Sequence, residues 1–270
     1  MRSADLIHFA RQAATGNPLR ASLLVLAMAI GVAAVVVLTA LGDGARRYVM
    51  NEFSSLGSNL VIVLPGRSQT GGFNPGNAIT STPRDLSIAD AQSLLRAPAV
   101  RQVAPLAIGT SEISAGGKLR QVMVAGTTAS YLKVRQMALS QGQFLADGDW
   151  HRGAAEAVIG ARVRAELFGS APALGQLLRI GDRRFRVVGV LASSGQGMGM
   201  NTDELVMVPV AQAQAMFNSS TLFRILVEAN SREAIESVKT QVADIIKQRH
   251  DGEQDVTVIT QDAILATFDR

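Results

Sequence analysis

Ala21–Leu41, ASLLVLAMAIGVAAVVVLTAL, is the stretch that decides the architecture. It carries no charged residue, and a helix needs about 20 such residues to cross a hydrocarbon layer of roughly 30 Å. Leu23, Leu24, Leu26, Ile30, Gly31, Val35, Val36 and Leu38 are the residues expected to meet lipid. A cleaved signal sequence is the rival reading, but its apolar stretch spans only about 7 to 15 residues and ends at a small-x-small site. Leu41-Gly42-Asp43-Gly44 follows directly here, which favours an uncleaved anchor.

The flanks extend this reading in both directions. Arg2, Arg11 and Arg20 precede the span and Arg46 and Arg47 follow it. Flanking basic residues hold a side in the cytoplasm, while long segments cross largely regardless of charge, so the N-terminus is expected inside and the body outside. Leu6, Phe9, Ala10 and Ala13 recur at helical spacing, predicting an amphipathic helix within residues 1–20 on the inner membrane surface; a frayed tail is the alternative. Asn17-Pro18 breaks it before the span, at 21–41. Past the span, Ala45, Val49, Phe53 and Leu56 continue one stripe up to Gly57, so the membrane helix is expected to project into the body and couple the two.

The chain has 270 residues, enough for one large domain or two small ones with a real core. Hydrophobic residues make up 47% and charged residues 18%, which excludes a disordered tail. The net charge is +4, yet without Arg2, Arg11, Arg20 and Asp5 the body holds nearly equal numbers of acidic and basic residues. That is no nucleic-acid footprint. The absence of cysteine fits an oxidising compartment and many cytosolic chains alike.

After the span, Asn59–Leu64 (NLVIVL) reads as a buried strand stopped by Pro65-Gly66, and residues 67–84 as a loop rich in Gly, Ser, Thr, Pro and Asn. Ser87-Ile88-Ala89-Asp90 has the form of a capped helix start, with Ile88, Ala91, Leu94 and Leu95 as its apolar face, before a strand at Val100–Pro105. The same order returns at the other end: strand Leu222–Val227, helix Ser231–Arg249, strand Asp255–Ile259. Two β-α-β units therefore bracket the chain, suggesting a ferredoxin-like α/β subdomain over 42–108 and 218–270. Residues 109–217 change character, with strand patterns at Arg120–Val124, Leu177–Ile180, Arg184–Leu191 and Leu205–Val208, and turns at Gly116-Gly117 and Gly181-Asp182. The fold class is thus α+β: one N-terminal membrane helix, then a split α/β subdomain holding an inserted β-rich one.

No catalytic constellation emerges. There is no cysteine nucleophile, G-x-S-x-G elbow or H-E-x-x-H pair, and Gly116-Gly117-Lys118-Leu119 lacks the spacing and hydroxyl of a phosphate loop. No cofactor or metal is expected. His8, His151 and His250 are scattered, and surface positions are expected for His151 and His250; Asp147, Asp149, Asp203 and Glu204 read as solvated turn charges. Two surfaces remain as candidate partner or substrate contacts. Met198 and Met200 lie in a Gly/Met loop, where methionine repacks easily against varied partners, and Arg183 and Arg184 flank the Gly181-Asp182 turn. The plainer reading of both is a flexible hairpin tip and a solvated turn.

Taken together, these segments resemble the MacB-type ABC permeases, members of the FtsX-like permease superfamily. Gly31-Val32-Ala33 through Leu41-Gly42-Asp43-Gly44-Ala45 is similar to their first membrane helix. Ser55–Asn59 running into Val63-Leu64-Pro65-Gly66 resembles the entry to their periplasmic core domain. Leu167-Phe168-Gly169, Leu174-Gly175-Gln176 and Val188-Gly189-Val190 resemble its middle, and Lys247–His250 with Val256-Thr257-Val258 its end. The resemblance implies a porter-like part with an inserted β-rich part, in a bacterial inner membrane with the body periplasmic. It implies dimerisation with a second permease copy or homologue, and motion driven by cytoplasmic ATPase domains. It also implies export of drugs, peptides or siderophores from the periplasmic side, in some members with a periplasmic adaptor and an outer-membrane duct. Since the sequence shows no ATPase motif, a separate ATPase chain is expected, as in lipoprotein-releasing systems, and Arg270 is expected to fall short of a longer permease. The alternative is a single-pass anchored binding or assembly module without transport; an anchored enzyme lacks a site.

Overall fold

The computed structural model describes residues 18–54, 59–66, 84–193, 196–197 and 200–260. Most of the expected amphipathic segment, Leu56 and Met198 lie outside them. The chain divides into two units, Met1–Asn51 and Glu52–Arg270.

Helix α1, Pro18–Ser54, 37 residues without interruption, lies in the first unit up to Asn51 and ends three residues into the second. Pro18 is its first residue, a position where the missing N–H costs nothing because the first-turn donors have no intrahelical acceptor. Residues 55–58, which include the expected stop at Gly57, are outside the described set.

The body of the second unit is one ten-stranded sheet. Its first part is built from β1 (Leu60–Pro65), α2 (Ile88–Leu94) and β2 (Val100–Ala115), then β11 (Arg224–Ala229), α6 (Ile235–Arg249) and β12 (Val256–Thr260). The strands lie in the order β12-β1-β11-β2, every neighbour antiparallel. Alternation sends Val61, Val63, Val103, Ile225 and Val227 to one face, where they join Ile88, Ala91, Leu94, Val238, Val242 and Ile246 of the two helices in a single core. Leu60, Ile62, Ala104, Leu106 and Leu226 point to the other face. α2 begins on the anticipated capping box: the Ser87 hydroxyl accepts from the Asp90 amide, and the Asp90 carboxylate accepts from the Ser87 amide.

β2 outruns its expected end. It pairs with β11 as far as Leu106, then with β3 (Lys118–Thr127) from Ala107 to Ala115. The β2–β3 turn is Gly116-Gly117, with φ of 58° and 80°, the left-handed values a two-residue hairpin requires. The remaining elements are α3 (Ser130–Val134), β4 (Leu139–Gly142), β5 (Glu156–Ile159), α4 (Ala161–Phe168), β6 (Leu177–Ile180), β7 (Arg183–Leu191), β8 (Gln196–Gly197), β9 (Met200–Asn201), a 3-10 turn at Thr202–Glu204, β10 (Leu205–Pro209) and α5 (Val210–Phe217). β3 pairs with β10, β10 with β5, β5 with β7, β7 with β6, and β6 back with β2 at Ile113 and Ser114. These strands therefore close into a ring, with β4 added outside on β7. β10, parallel to β3 and antiparallel to β5, is buried at every position and its alternate residues feed both core clusters, as a continuous apolar run in the middle of a covered sheet should.

The short helices α3, α4 and α5 interrupt a segment whose pattern reads as strands alone. Five to eight residues hold too few turns for a 3.6-residue period to stand out.

Candidate functional site

Ala21–Gly44, within α1, is 24 residues long and apolar enough to cross a membrane, three residues beyond the expected span. Leu23, Leu24, Leu26, Ile30, Val35, Val36 and Leu38 are all exposed, as is Gly31, on every side of the helix. A soluble helix hides one face; this one hides none, the arrangement suited to lipid on all sides. Its hydroxyls are satisfied within the helix: Thr39 Oγ1 donates to the carbonyls of Val35 and Val36 at 2.9 and 3.0 Å, and Ser22 Oγ to Leu19 at 2.9 Å. Ala33 and Ala34, flanked by Ile30, Val37, Leu38 and Leu41, leave a shallow apolar groove along it. Ala45, Val49 and Phe53 lie on the continuous helical backbone.

The two candidate contact surfaces are not equivalent. Met200 is buried, packed with Leu205 and Met207 in the core cluster of the second sheet face, so the expectation of an exposed contact is corrected. The sequence misleads because glycines surround it, whereas β9 turns its side chain inward against the apolar start of β10. Arg183 is half-buried and donates from Nη1 to Gln212 Oε1 at 3.3 Å. Arg184 is exposed beside Arg179, Leu177 and the Gly116-Gly117 hairpin. Arg179 and Arg186 spend donors on the carbonyls of Gly181 and Gly175.

The carboxylates read as turn charges, Asp147, Asp149, Asp203 and Glu204, are engaged by backbone amides, a hydroxyl or arginines, Asp203 accepting from the Ser193 hydroxyl at 2.7 Å; Glu156 nearby is engaged too. Asp147 accepts from the Gly148 amide at 3.0 Å, Asp149 from the His151 amide at 3.0 Å and Glu156 from the Ala146 amide at 2.7 Å. These line a cleft of about 370 Å³ with Trp150 and Arg152. Glu204 is not simply solvated: it bridges Arg120 and Arg162, which also hold Glu166. Among the described residues no group of three or more His, Cys, Asp or Glu could hold a metal ion.

His250 is the clearest departure from the sequence reading. Expected on the surface, it is buried at the end of α6, Nδ1 2.7 Å from Asp255 and Nε2 3.4 Å from Asp90. Arg249 Nε donates to the other Asp90 oxygen at 2.6 Å. Burial alone disfavours charge on Asp90, but hydrogen bonds from Arg249, Ser87 and His250 outweigh it and hold the carboxyl below its usual range. The cluster ties the first turn of α2 to the end of α6 and the entry to β12. The neighbouring Asp251-Gly252, both at positive φ, looked like an open turn and hid this role.

Comparison with known proteins follows the same outline. The family profile of the MacB-like periplasmic core domain matches residues 21–245. The macrolide export ATP-binding/permease protein MacB 1/2 of Paracoccus denitrificans is 32% identical over 99% of this chain, which covers 39% of that protein. The pyoverdine export ATP-binding/permease protein PvdT of Pseudomonas entomophila is 32% identical over 92% of this chain and 37% of its own length. The chain thus spans about two fifths of such relatives. Among solved structures, the periplasmic region of MacB from Actinobacillus actinomycetemcomitans superposes with a TM-score of 0.69 at 19% identity, over 81% of this chain and 96% of that one. The extracellular domain of the transporter YknZ from Gram-positive bacteria gives 0.61 at 19% identity, over 75% of this chain and all of that one.

Proposed function

The chain belongs to the MacB-like periplasmic core domain family, and from that premise we propose that it is the outer half of an ABC exporter permease that passes on motion without doing chemistry itself. The observation that supports this most is α1: unburied and largely apolar over Ala21–Gly44, then continuous to Ser54, shortly before β1 begins at Leu60. A ligand shifts a protein only through contacts that differ between two states, so ATP bound elsewhere reaches this body through the helix that joins them. In this reading the N-terminus is cytoplasmic, the body periplasmic and the ATPase a separate chain. A second permease copy or homologue completes a dimer, and a periplasmic adaptor and outer-membrane duct take part in some systems. The substrate class is that of the related exporters: a drug, peptide, siderophore or lipoprotein. Residues 42–108 and 218–270 serve as the porter-like part and 109–217 as the inserted β-rich part, a division supported by the change of partner in β2.

The test is a joint placed in the rod. Replacing Ala45 and Arg46 by glycine weakens a helix by about 1 kcal/mol per residue. In the complete transporter, export is expected to fall while ATP turnover by the partner persists, and the purified chain is expected to hydrolyse no ATP. Normal export at normal expression, or turnover by this chain alone, refutes the role. A single-pass anchored binding or assembly module is the second reading, drawn from the single candidate span among the described residues. It predicts that no ATPase co-purifies with the chain in its native membrane.

A further inference from the structure

Two largely buried arginines in the folded body have no carboxylate to meet them among the described residues. α3 packs against β2 and β11 and carries Tyr131 inward; Arg135 caps its C-terminal end and Arg224 opens β11. Arg224 stands opposite Leu106 in the ladder, hence on the sheet face where Leu106, Leu226 and Tyr131 form one apolar cluster. Arg135 and Arg224 are 6% and 9% exposed. Nε and Nη1 of Arg135 and Nε of Arg224 have no hydrogen-bond partner, and among the described residues no carboxylate pairs with either guanidinium. The Arg224 guanidinium rests 4.8 Å from the centre of the Phe223 ring, itself 42% exposed, so the cluster lies close under the surface. Burial pulls the Arg224 pKa down, and Arg135 adds to it; burial likewise pushes the Tyr131 hydroxyl up, so it stays neutral, its oxygen accepting from Arg135 and its proton left to donate.

Arginine keeps its proton in proteins, so burial cannot be relieved by neutralisation. Buried charges are ordinarily paired, and a planar fork of N–H donors fits the paired oxygens of a carboxylate or phosphate. We propose that Tyr131, Arg135 and Arg224 form a binding site for an oxyanion, a carboxylate or phosphate group, taken up between the two guanidinium groups with the Tyr131 hydroxyl as a further donor and Phe223 at the rim. This site is independent of the transport reading and concerns binding alone.

The full chain in neutral detergent is titrated with inorganic phosphate and with acetate at constant ionic strength, chloride serving as control, while the thermal midpoint and heat of binding are followed. A second arm compares nanodiscs of phosphatidylglycerol with nanodiscs of phosphatidylcholine. A saturable rise in midpoint with phosphate or acetate but not chloride is expected; a rise only with phosphatidylglycerol assigns the anion to a lipid headgroup. Arg224→Gln and Arg135→Gln should each weaken binding by about tenfold or more, and Arg224→Lys should restore only part of it. In anion-free buffer Arg224→Gln should melt at or above the wild type, because an idle buried charge is gone; a purely structural arginine would give the opposite sign. If none of these anions stabilises the wild type, or if Arg224→Gln lowers the midpoint equally with and without anion, the site does not exist. Should the variants fail to fold, the wild-type titration decides alone.

Discussion

Replacing Asp90 by Asn keeps the shape of a buried side chain and removes its charge. The carboxylate accepts from the Ser87 amide at 2.9 Å and hydroxyl at 2.7 Å through Oδ2, and from Arg249 at 2.6 Å through Oδ1. An amide offers one oxygen and one NH2, so either the Ser87 amide or the Arg249 guanidinium must then face a donor. The Ser87 hydroxyl keeps its bond from the residue-90 amide, so only the reciprocal half of the capping box is at stake, about 0.5 to 1.5 kcal/mol for one hydrogen bond. Loss of the charged bond is worth about 1.5 to 3 kcal/mol, reduced because the Arg249 side chain is 39% exposed. The two share one residue and do not add, giving about 2 to 3 kcal/mol, or roughly 5 to 10 °C for a body of this size. The sign with pH follows from a depressed carboxyl. The folded pKa of Asp90 lies below its ordinary 3.8, so its contribution is intact above that value and is lost as pH falls through the folded one. Melts of the full chain in mild detergent, read from Trp150, the only tryptophan, should show the gap at pH 7 and its narrowing only below about pH 4. A gap under about 1 kcal/mol at pH 7, or one that closes between pH 5 and 7, would refute the network as drawn.

Val35→Arg places a charge near the middle of the span, and membrane insertion measured by carbonate extraction should worsen by about 2.5 to 3.5 kcal/mol; unchanged insertion would argue against lipid at that position. Met200→Ala should destabilise the body by about 2 to 5 kcal/mol in the same melts, since a core side chain is removed. A neutral effect would return Met200 to the surface.

Elements governed by local rules were legible in the sequence. The span, the Ser87 capping box, the two-residue turn at Gly181 and strand β6 depend on composition, a fixed spacing or a single left-handed residue, all of which one chain displays. What was hidden depends on distant partners. His250 is buried between Asp255 and Asp90, and Asp90, far away in sequence, is the partner one chain does not display. Arg224 differs from an exposed strand arginine only through register, although its place between Phe223 and Ile225-Leu226 was a usable hint. The length of β2 was masked by Pro105 and Gly109, which read as breakers. Gly109 instead makes room for the Phe217 ring, which lies where a Cβ would sit.

β2 also bears on how a pull on β1 spreads through the body. β1 is an interior strand, paired with β12 on one side and β11 on the other, so load entering near Leu60 is shared by two ladders. It then crosses β11 to β2, and β2 passes from β11 to β3 at Leu106 and Ala107 without a register shift on the β3 side. Two hydroxyls fasten that passage: Thr127 Oγ1 donates to the Pro105 carbonyl at 2.7 Å and Ser130 Oγ to that of Val103 at 2.6 Å. Packing is equally close on the other side, where Gly126 lies against Ala213 and Val210 of α5 with no room for a side chain. A strand shared between the four-stranded part and the ring, pinned on both sides of the change of partner, resists bending there. A displacement of β1 is therefore better carried as a shift of the whole body than absorbed at a joint between its parts, which is the property the proposed transmitter needs.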